Sequence, residues 1–494
     1  MEVRQGEKEG QFWVRWGKRG AFPVETPFSH CYNESEICQG GGPVKRLLYS
    51  KNAFCFLLIF LCFWGTSCGY LSWMYRLMGG MDSAAVDFHT DVTAYLFQAA
   101  GVAVFAGMTR RRPALAGKKA FAAAMGADLL ATVGAVLAPG TASALALGFG
   151  MNLLHGVVAG FYLDRLARTV EWQRRGLVFG LGYGAASVAG WLLSLPGEGN
   201  FLGSPWVLGV YAVLFGGTCW LVLRATPETA GETETPESGE PPRRGVLVLG
   251  AAAVLLLSVV NGLGFSFPAA DISQGISLEL SRVFYAVGLI VAGAVSDRER
   301  RYGAICCAAS LSVPFLMIAL AGELGPSIVL WILNYLLFGF FTVFRVLLFT
   351  DIAGQDRRLL PLAGFGLLFG RLGDAAGSLS CLLLGEHTVV LVVLAAVLFA
   401  GAIGTFLLLY QRVYLPQPLR EKSQQERFDD FARQYGLSGR EQEVLGMILS
   451  GRSTPEMADE LFVSERTVKF HIHNLLKKTG CVNRASLLAL YRSL

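Results

Sequence analysis

The sequence has 494 residues, of which 53% are hydrophobic and only 16% are charged, and its mean hydropathy is +0.47. Soluble domains carry roughly a quarter charged residues, so this composition excludes a chain made only of such domains. The formal net charge of +5 is small for this length and excludes a globally basic nucleic-acid-binding protein. The ten cysteines include no CxxC pair, which argues against zinc and a disulfide framework, and we predict no metal and no cofactor.

Residues 1–52 are a mixed, polar segment that we predict to be an N-terminal cytoplasmic region without a stable fold. No apolar core of signal-peptide form precedes the first long hydrophobic run. Two alternatives stay open. The segment could be an interfacial anchor that uses Trp13 and Trp16, or the product of an overlong gene start.

From residue 53 to residue 410 the chain is almost continuous membrane sequence. Apolar runs of about 18 or more residues predict spanning helices. Twelve such runs lie near residues 53–73, 92–108, 120–138, 141–163, 176–195, 205–223, 246–267, 282–296, 303–321, 327–349, 361–384 and 388–410. They divide six and six into halves at 53–224 and 245–410, separated by a cytoplasmic linker, 225–244, that is rich in Pro, Glu, Thr and Gly.

Basic residues are concentrated in alternate loops between these predicted spans. By the positive-inside rule, loops rich in Lys and Arg face the cytoplasm, so both chain termini are predicted to be cytoplasmic. The protein is therefore expected in a bacterial cytoplasmic membrane as a multi-pass protein. The residues that support this topology are Arg110, Arg111, Arg112, Lys118, Lys119, Arg165, Arg168, Arg174, Arg175, Arg243, Arg244, Arg298, Arg300, Arg301, Arg357 and Arg358.

One loop of the second half contains the pattern Gly293-x-x-x-Asp297-Arg298-x-x-Arg301. With the division into two six-helix halves, this pattern resembles the major facilitator superfamily. The corresponding loop of the first half, 107–112, is basic but lacks the aspartate. The resemblance implies a fold in which two halves rock against each other, and a fold alone does not imply an activity.

Charged residues inside apolar spans are costly, so each one is a candidate functional residue. Asp128, Arg371 and Asp374 form our candidate membrane ligand or proton site. Arg371 and Asp374 are three residues apart, so the alternative is that they only neutralise each other. Arg345 is expected to extend its side chain to the membrane surface, and His155 is expected to be a hydrogen-bonded core residue.

The acidic residues Asp82, Asp87 and Asp91, together with His89, are predicted to lie in the first external loop. A tether, residues 411–436, follows the last span. Its part 419–435 predicts a polar helix with Phe428, Phe431 and Tyr435 on one side. That aromatic side is predicted either to dock on the C-terminal domain or to pair with a second copy.

The last segment, residues 437–494, has the pattern of a helix-turn-helix. Pro455 suits the first turn of a short helix, and Ser464 is a good N-cap for a longer one. In the longer helix an apolar stripe is made by Val468, Ile472 and Leu475. Basic residues project from the other faces of this helix, which is typical of a helix that enters DNA.

The same segment carries a set of residues at fixed spacing: Leu437, Ser438, Arg440, Glu441, Glu443, Val444, Leu445, Gly451, Ala458, Leu461, Ser464, Thr467, Val468, Lys469, His471 and Arg484. This pattern resembles the LuxR-type DNA-binding domain. The resemblance implies four helices, the third in the major groove and the fourth pairing two protomers. Lys469 and Phe470 would then lie over base edges, with His473 one turn further on. Phosphate contacts are expected from Arg466, Lys477 and Lys478. The full predicted DNA-binding set is Ser464, Arg466, Thr467, Lys469, Phe470, His473, Asn474, Lys477 and Lys478.

The predicted fold class is all-α: a polytopic membrane bundle of about 12 spans arranged 6+6, followed by a small four-helix helix-turn-helix domain. The predicted function is that of a membrane-embedded one-component transcriptional regulator, not an enzyme, with the bundle as sensor. The expected partners are double-stranded DNA, the lipid bilayer, a second copy joined through the C-terminal domain and an unidentified small-molecule ligand. The alternative is a major-facilitator-like secondary transporter with a fused regulatory DNA-binding domain.

Overall fold

The computed structural model describes residues 50–195, 199–225, 244–272, 278–312, 328–384, 387–414 and 424–492. These residues are almost entirely helical, and they contain no β-strand. Most of the predicted N-terminal segment 1–52, the linker 225–244 and part of the tether 411–436 lie outside the described ranges.

The helices of the first half follow the predicted apolar runs. They are α1 (Lys51–Met78), α2 (Ser83–Asp87), α3 (Ala94–Arg111), α4 (Lys118–Leu137), α5 (Thr141–Thr169), α6 (Arg175–Ser194) and α7 (Pro205–Ala225). A π-helical turn, Phe88–Thr93, joins α2 to α3, so these elements form one continuous helical segment.

The helices of the second half are α8 (Arg244–Ile272), α9 (Leu278–Arg298), α10 (Arg300–Ser310), α11 (Ile328–Ala353), α12 (Phe365–Leu384) and α13 (Thr388–Val413). Ten helical segments in the described ranges are long and apolar enough to cross a membrane. The eighth predicted span falls on α9 and the ninth on α10, and residues 313–321 of the ninth lie outside the described ranges.

Small residues allow the helices of the bundle to approach one another closely. At Gly101, on α3, a Cβ atom would lie 2.0 Å from the Leu153 carbonyl oxygen of α5. The halves meet along α6 and α9, where a Cβ at Gly180 would lie 2.3 Å from the Leu289 carbonyl oxygen. Helices in lipid gain little from the hydrophobic effect when they associate, so close backbone contact of this kind is what holds them together.

Of the acidic residues predicted to lie in the first external loop, Asp82 lies in the connection between α1 and α2, but Asp87 and Asp91 lie in helical segments, so the loop prediction is wrong for these two. Asp87 ends α2, and His89 and Asp91 lie in the π-helical turn. Asp82 caps α2, because its carboxylate accepts a hydrogen bond from the Ala85 N–H at 2.9 Å. Val86, on the same short helix, is buried, and this burial supports helix where the polar composition suggested a solvated loop.

The C-terminal domain has its own apolar core, made by α14 (Gln424–Gln434), α15 (Gly439–Leu449), α16 (Thr454–Glu460), α17 (Glu465–Thr479) and α18 (Arg484–Arg492). Helix α14 belongs to the tether, yet Phe431 is 1% exposed and its ring lies 5.3 Å from that of Tyr491 on α18. The aromatic side of the tether therefore docks on the C-terminal domain, which is the first of the two predicted alternatives.

Candidate DNA-binding surface and membrane charge clusters

The longer helix of the helix-turn-helix, α17, begins and ends at residues suited to those positions. The Ser464 hydroxyl accepts a hydrogen bond from the Thr467 N–H at 3.2 Å, which satisfies one of the open amides of the first turn. At the other end Gly480 has a φ of 69°, a left-handed conformation that glycine adopts without steric cost. Its buried stripe is the predicted one: Val468, Ile472 and Leu475 are 0%, 8% and 0% exposed.

The opposite face of α17 is exposed and basic. Arg466, Phe470, His473 and Lys477 recur at helical spacing on this face, and all four are exposed. Phe470 is 60% exposed, which is unusual for an aromatic side chain in a domain with a packed core. A helix that presents cations and an exposed aromatic ring together has the groups that contact phosphates and base edges.

Lys469 stands beside this face and pairs within the helix. Its Nζ lies 3.2 Å from a carboxylate oxygen of Glu465, one turn earlier, and both side chains are at least half exposed. An exposed pair of this kind contributes little to stability, so the ammonium group is available to an acceptor on DNA. Thr467 and Asn474 are half-buried at the edge of the same surface.

Lys478 differs from the other predicted phosphate contacts. Its Nζ donates to the Gly436 carbonyl at 2.8 Å and to Glu441 at 2.7 Å, which ties the end of α17 to the start of α15. Glu441 is 4% exposed and also accepts a hydrogen bond from the Ser438 N–H at 2.7 Å. Burial raises the pKa of Glu441, but the hydrogen bonds from Lys478 and Ser438 outweigh that effect and hold it below its ordinary value.

The turn between α16 and α17 is tight. Phe462 has a φ of 53°, a left-handed conformation that is unfavourable for a bulky side chain, and it is 94% exposed. Arg484, on α18, donates to the Thr454 hydroxyl at 2.6 Å and so joins the first helix of the motif to the last helix of the domain. Asn483 caps α18, because its side-chain oxygen accepts a hydrogen bond from the Ser486 N–H at 2.8 Å.

Within the membrane bundle, Asp374 is at the centre of a buried charge cluster. Its carboxylate lies 3.1 Å from Arg345 of α11 and 3.5 Å from Arg371 of its own helix. The Arg371 guanidinium also lies 4.5 Å from the ring centre of Tyr95 on α3, across the boundary between the halves. The cluster therefore joins three helices, and the intrahelical pair predicted from spacing is only part of it.

The expectation that Arg345 extends to the membrane surface is wrong. The residue is 4% exposed, and its guanidinium is held by Asp374 and by the ring of Phe341 at 5.1 Å. Because Asp374 on the neighbouring helix supplies a counter-charge, the Arg345 side chain is stable inside the bundle and does not extend to the membrane surface.

Asp128 and His155 form a second buried pair, between α4 and α5. The His155 Nε2 lies 3.3 Å from an Asp128 oxygen, but the geometry does not make a hydrogen bond. The Thr132 hydroxyl, one turn from Asp128, is likewise buried without a hydrogen-bond partner. Unsatisfied buried polar groups are costly, and they therefore mark a candidate site for a proton or a polar ligand.

A third cluster lies where α6, α9, α10 and α11 meet. Asp351 pairs with Arg175 at 2.9 Å and with Arg300 at 2.6 Å. Asp297, of the loop pattern quoted above, accepts hydrogen bonds from the Gly176 and Leu177 N–H groups at 2.8 and 2.7 Å. The start of α6 in the first half is thus bound to the second half. Asp351 and Arg175 were not predicted for this role, because no local pattern places them beside each other.

Comparison with known proteins gives the family of the C-terminal domain. Residues 436–491 match the family model of bacterial regulatory proteins of the luxR family. They are a LuxR-family helix-turn-helix domain. The probable transcriptional regulatory protein NarL of Mycobacterium tuberculosis is 47% identical over 53 residues, which are 11% of this chain and 24% of that protein. The spore germination protein GerE of Bacillus subtilis is 43% identical over 49 residues, 10% of this chain and 66% of that protein.

These relatives match only the LuxR-family domain of this chain. The alignment covers about a quarter of NarL and just under two thirds of GerE. The membrane bundle has a different likeness. It superposes on the human organic anion transporter MFSD10 with a TM-score of 0.51 and 17% sequence identity, covering 75% of this chain and 99% of that one. At this identity the likeness establishes the fold, which is major-facilitator-like, and not an activity.

Proposed function

We propose that this chain is a membrane-embedded one-component transcriptional regulator. One observation carries the proposal: a LuxR-family domain with an exposed basic helix is covalently joined to a major-facilitator-like bundle. The domain supplies contacts to double-stranded DNA, and the bundle supplies buried polar clusters that a small molecule or a membrane condition can bias. A single chain then detects the signal and binds the promoter.

The distribution of charge supports a cytoplasmic position for the LuxR-family domain. Arg110, Arg111 and Lys118 border the same end of the bundle as Arg175, beside which Asp351 and Arg300 lie. By the positive-inside rule this end faces the cytoplasm, and the tether leaves the bundle there. We propose that both termini are cytoplasmic, in the compartment that contains the chromosome.

Helix α14 is our proposed connection between the sensor and the DNA-binding surface. It packs on α18 through Phe431 and Tyr491, and the chain just after it is held by the Lys478 bond to Gly436. Because Lys478 is near the end of α17, a displacement of α14 is transmitted to the DNA-binding helix. We propose that α18 also pairs two copies, which sets the spacing of the two half-sites on DNA.

Within α17 we assign base reading to Lys469 and Phe470, with His473 one turn further on. Lysine donates well to guanine, and this makes Lys469 the principal reader. Arg466 and Lys477 neutralise phosphates and fix the position of the helix. Ser464, Thr467 and Asn474 stay in the proposed set at the start and edge of the surface. Lys478 also stays in it, but its two internal bonds favour a structural contribution.

The alternative function is secondary transport with the LuxR-family domain as a regulatory attachment. The two buried clusters, Asp128 with His155 and Arg371 with Asp374, favour it, because charges in spans often lie on substrate or proton routes. The solved neighbour is described as an organic anion transporter, which makes organic anions the first solutes to test.

The proposed function is tested by genome-wide crosslinking and pull-down of the full-length protein, beside its Lys469→Ala variant. The matched control is Arg440→Ala, which removes an exposed cation from α15, outside both the proposed DNA-binding set and the connection. Discrete peaks are expected in the wild type and the control. They should weaken by roughly 10- to 100-fold in the Lys469 variant, because one good base contact contributes about 1–3 kcal/mol of discrimination.

Absence of peaks in the wild type under several growth conditions would contradict the regulator proposal. Uptake of organic anions into proteoliposomes then becomes the deciding measurement. Loss of uptake in both Asp128→Asn and Arg371→Ala would establish the transporter alternative.

A further inference from the structure

Phe470 lies at the centre of the exposed face of α17. At 3.6 residues per turn, its side chain leaves the helix about 170° from the middle of the buried stripe, which is made by Val468, Ile472 and Leu475. Lys469 is only about 90° from that stripe, at the flank of the helix. Phe470 is therefore the side chain of α17 that points most directly away from the packed core of the domain.

The Phe470 ring has little packing inside the domain. The residue is 60% exposed, and its ring meets the edge of His471 at a centroid distance of 5.6 Å. A phenyl ring left in water forgoes the stabilisation that its burial would supply, so the stability of the domain does not explain a phenylalanine at this position. A partner that covers the ring would recover that stabilisation on binding.

Basic side chains surround the exposed ring along the helix. Arg466 lies one turn before Phe470, and His473 and Lys477 lie one and two turns after it, all exposed on the same face. Such side chains attract the phosphates that border a groove of DNA and fix the helix within it. The major groove is wide enough to admit an α-helix. With the basic side chains at its phosphates, the Phe470 ring faces the base edges on the floor of the groove.

Base pairs present hydrogen-bond donors, acceptors and one kind of apolar group in the major groove, and that group is the C5-methyl of thymine. A phenyl ring has no donor or acceptor for base edges. Against guanine, cytosine or adenine it would remove water from polar atoms without pairing them, which is costly. Taking the proposed function as given, we propose that Phe470 reads a thymine methyl group and is a specificity-determining residue. Each half-site then contains a thymine close to the guanine that Lys469 contacts.

The experiment first selects a DNA site from a random duplex library with the full-length protein in mild detergent. Each thymine of the selected site is then replaced in turn by deoxyuridine, which removes only the C5-methyl group. We expect one thymine per half-site at which this replacement weakens wild-type binding roughly 4-fold, because a buried methyl group contributes about 0.8 kcal/mol. The same replacement should leave the affinity of Phe470→Ala unchanged, and the double-mutant cycle measures the coupling between ring and methyl.

Two further variants separate recognition from folding. Phe462→Ala removes another phenylalanine of the same domain, which is 94% exposed in the turn before α17, and it should keep the wild-type sensitivity to deoxyuridine. Phe470→Leu keeps an apolar side chain at the centre of the face and should keep the preference for thymine. The leucine variant also provides the test if Phe470→Ala binds too weakly to measure.

Three results would overturn the assignment of Phe470 while leaving the proposed function intact. They are a selected site at which no deoxyuridine replacement weakens wild-type binding, an unchanged sensitivity to deoxyuridine in Phe470→Ala, and an equal loss of all binding in Phe470→Ala and Phe462→Ala. If the wild type selects no sequence at all, the proposed function itself fails, and the assignment of Phe470 fails with it.

Discussion

The membrane bundle and the LuxR-family domain follow opposite rules of burial within one chain. In the bundle, charged side chains such as Arg345 and Asp374 are buried, while apolar ones such as Val213 are 74% exposed. In the LuxR-family domain Val444 and Val468 are 0% exposed, and the cations of α17 lie outside. The difference teaches that the surrounding solvent, hydrocarbon or water, decides which residues a helix turns inward.

The two regions also differ in what holds their helices together. The LuxR-family domain removes apolar surface from water, which is the dominant driving force for soluble folds. The bundle gains little from that effect, and it depends on close backbone contact at Gly101 and Gly180 and on buried ion pairs. Substitutions of charge and of glycine should therefore be most damaging in the bundle.

The largest expected effect is that of Asp374→Ala. Removal of this carboxylate leaves the buried Arg345 guanidinium without its counter-charge, which typically costs about 3–5 kcal/mol. The expected result is a large fall in the thermal midpoint of the solubilised protein.

The matching control adds Arg345→Met to the same chain. Removing the uncompensated cation should restore much of the lost stability, because a buried pair is often replaceable by apolar groups. If the single variant is as stable as the wild type, the Arg345–Asp374 pair does not hold α11 and α12 together.

Two glycines of α3 allow a test of close packing with a single added methyl group. At Gly101→Ala the new Cβ would lie 2.0 Å from the Leu153 carbonyl oxygen, so α3 and α5 must separate, at a cost of about 1–3 kcal/mol. At Gly107→Ala nothing lies within 4 Å, and alanine favours helix. We expect the thermal midpoint to fall in the first variant and not in the second. A fall of equal size in both variants would mean that Gly101 is not needed for the close packing of α3 against α5.

The sequence predicted the helices of the bundle well, but not which of their polar residues meet. Hydropathy marks where a span begins and ends, since about 20 apolar residues are needed to cross the hydrocarbon. The hydropathy pattern does not show how each helix is rotated about its own axis. The pairing of Arg345 with Asp374 and the meeting of Arg175 with Asp351 depend on that rotation, so both needed the structure.

In the LuxR-family domain the sequence predicted more, because water on one side gives each helix an apolar stripe with a period of 3.6 residues. The cap at Ser464 and the burial of Val468 were both predicted correctly. The internal bonds of Lys478 were not, since its exposed position on α17 resembles that of Lys477 until Glu441 is placed beside it. The assignment of individual DNA contacts stays a prediction.

The ion pair of Glu441 makes the stability of the LuxR-family domain depend on acid. The folded-state pKa of Glu441 is below its ordinary value of 4.5, so its contribution is complete above that pH and is lost as the pH falls through the lower folded value. We expect a loss of about 1 kcal/mol, after allowance for the partly exposed Lys478. Urea unfolding of a fragment of residues 424–494 should detect it, and Glu441→Gln should remove most of this pH dependence. An unchanged dependence in that variant would assign it to other carboxylates.

The smallest expected effect is a gain at the turn of the helix-turn-helix. Phe462 holds a φ of 53° with its ring 94% exposed, so replacement by glycine relieves backbone strain and loses almost no burial. The relief of about 1–2 kcal/mol is partly offset by the greater freedom of glycine in the unfolded chain, which leaves a net gain of about 0.5 kcal/mol. Phe462→Ala is the control, because alanine removes the ring but keeps the Cβ that causes the strain. A gain in the glycine variant alone, measured by urea unfolding of the same fragment, would assign the effect to the backbone. If both variants lose stability, the Phe462 ring makes a stabilising contact in the turn, and that contact offsets the free-energy cost of the left-handed conformation.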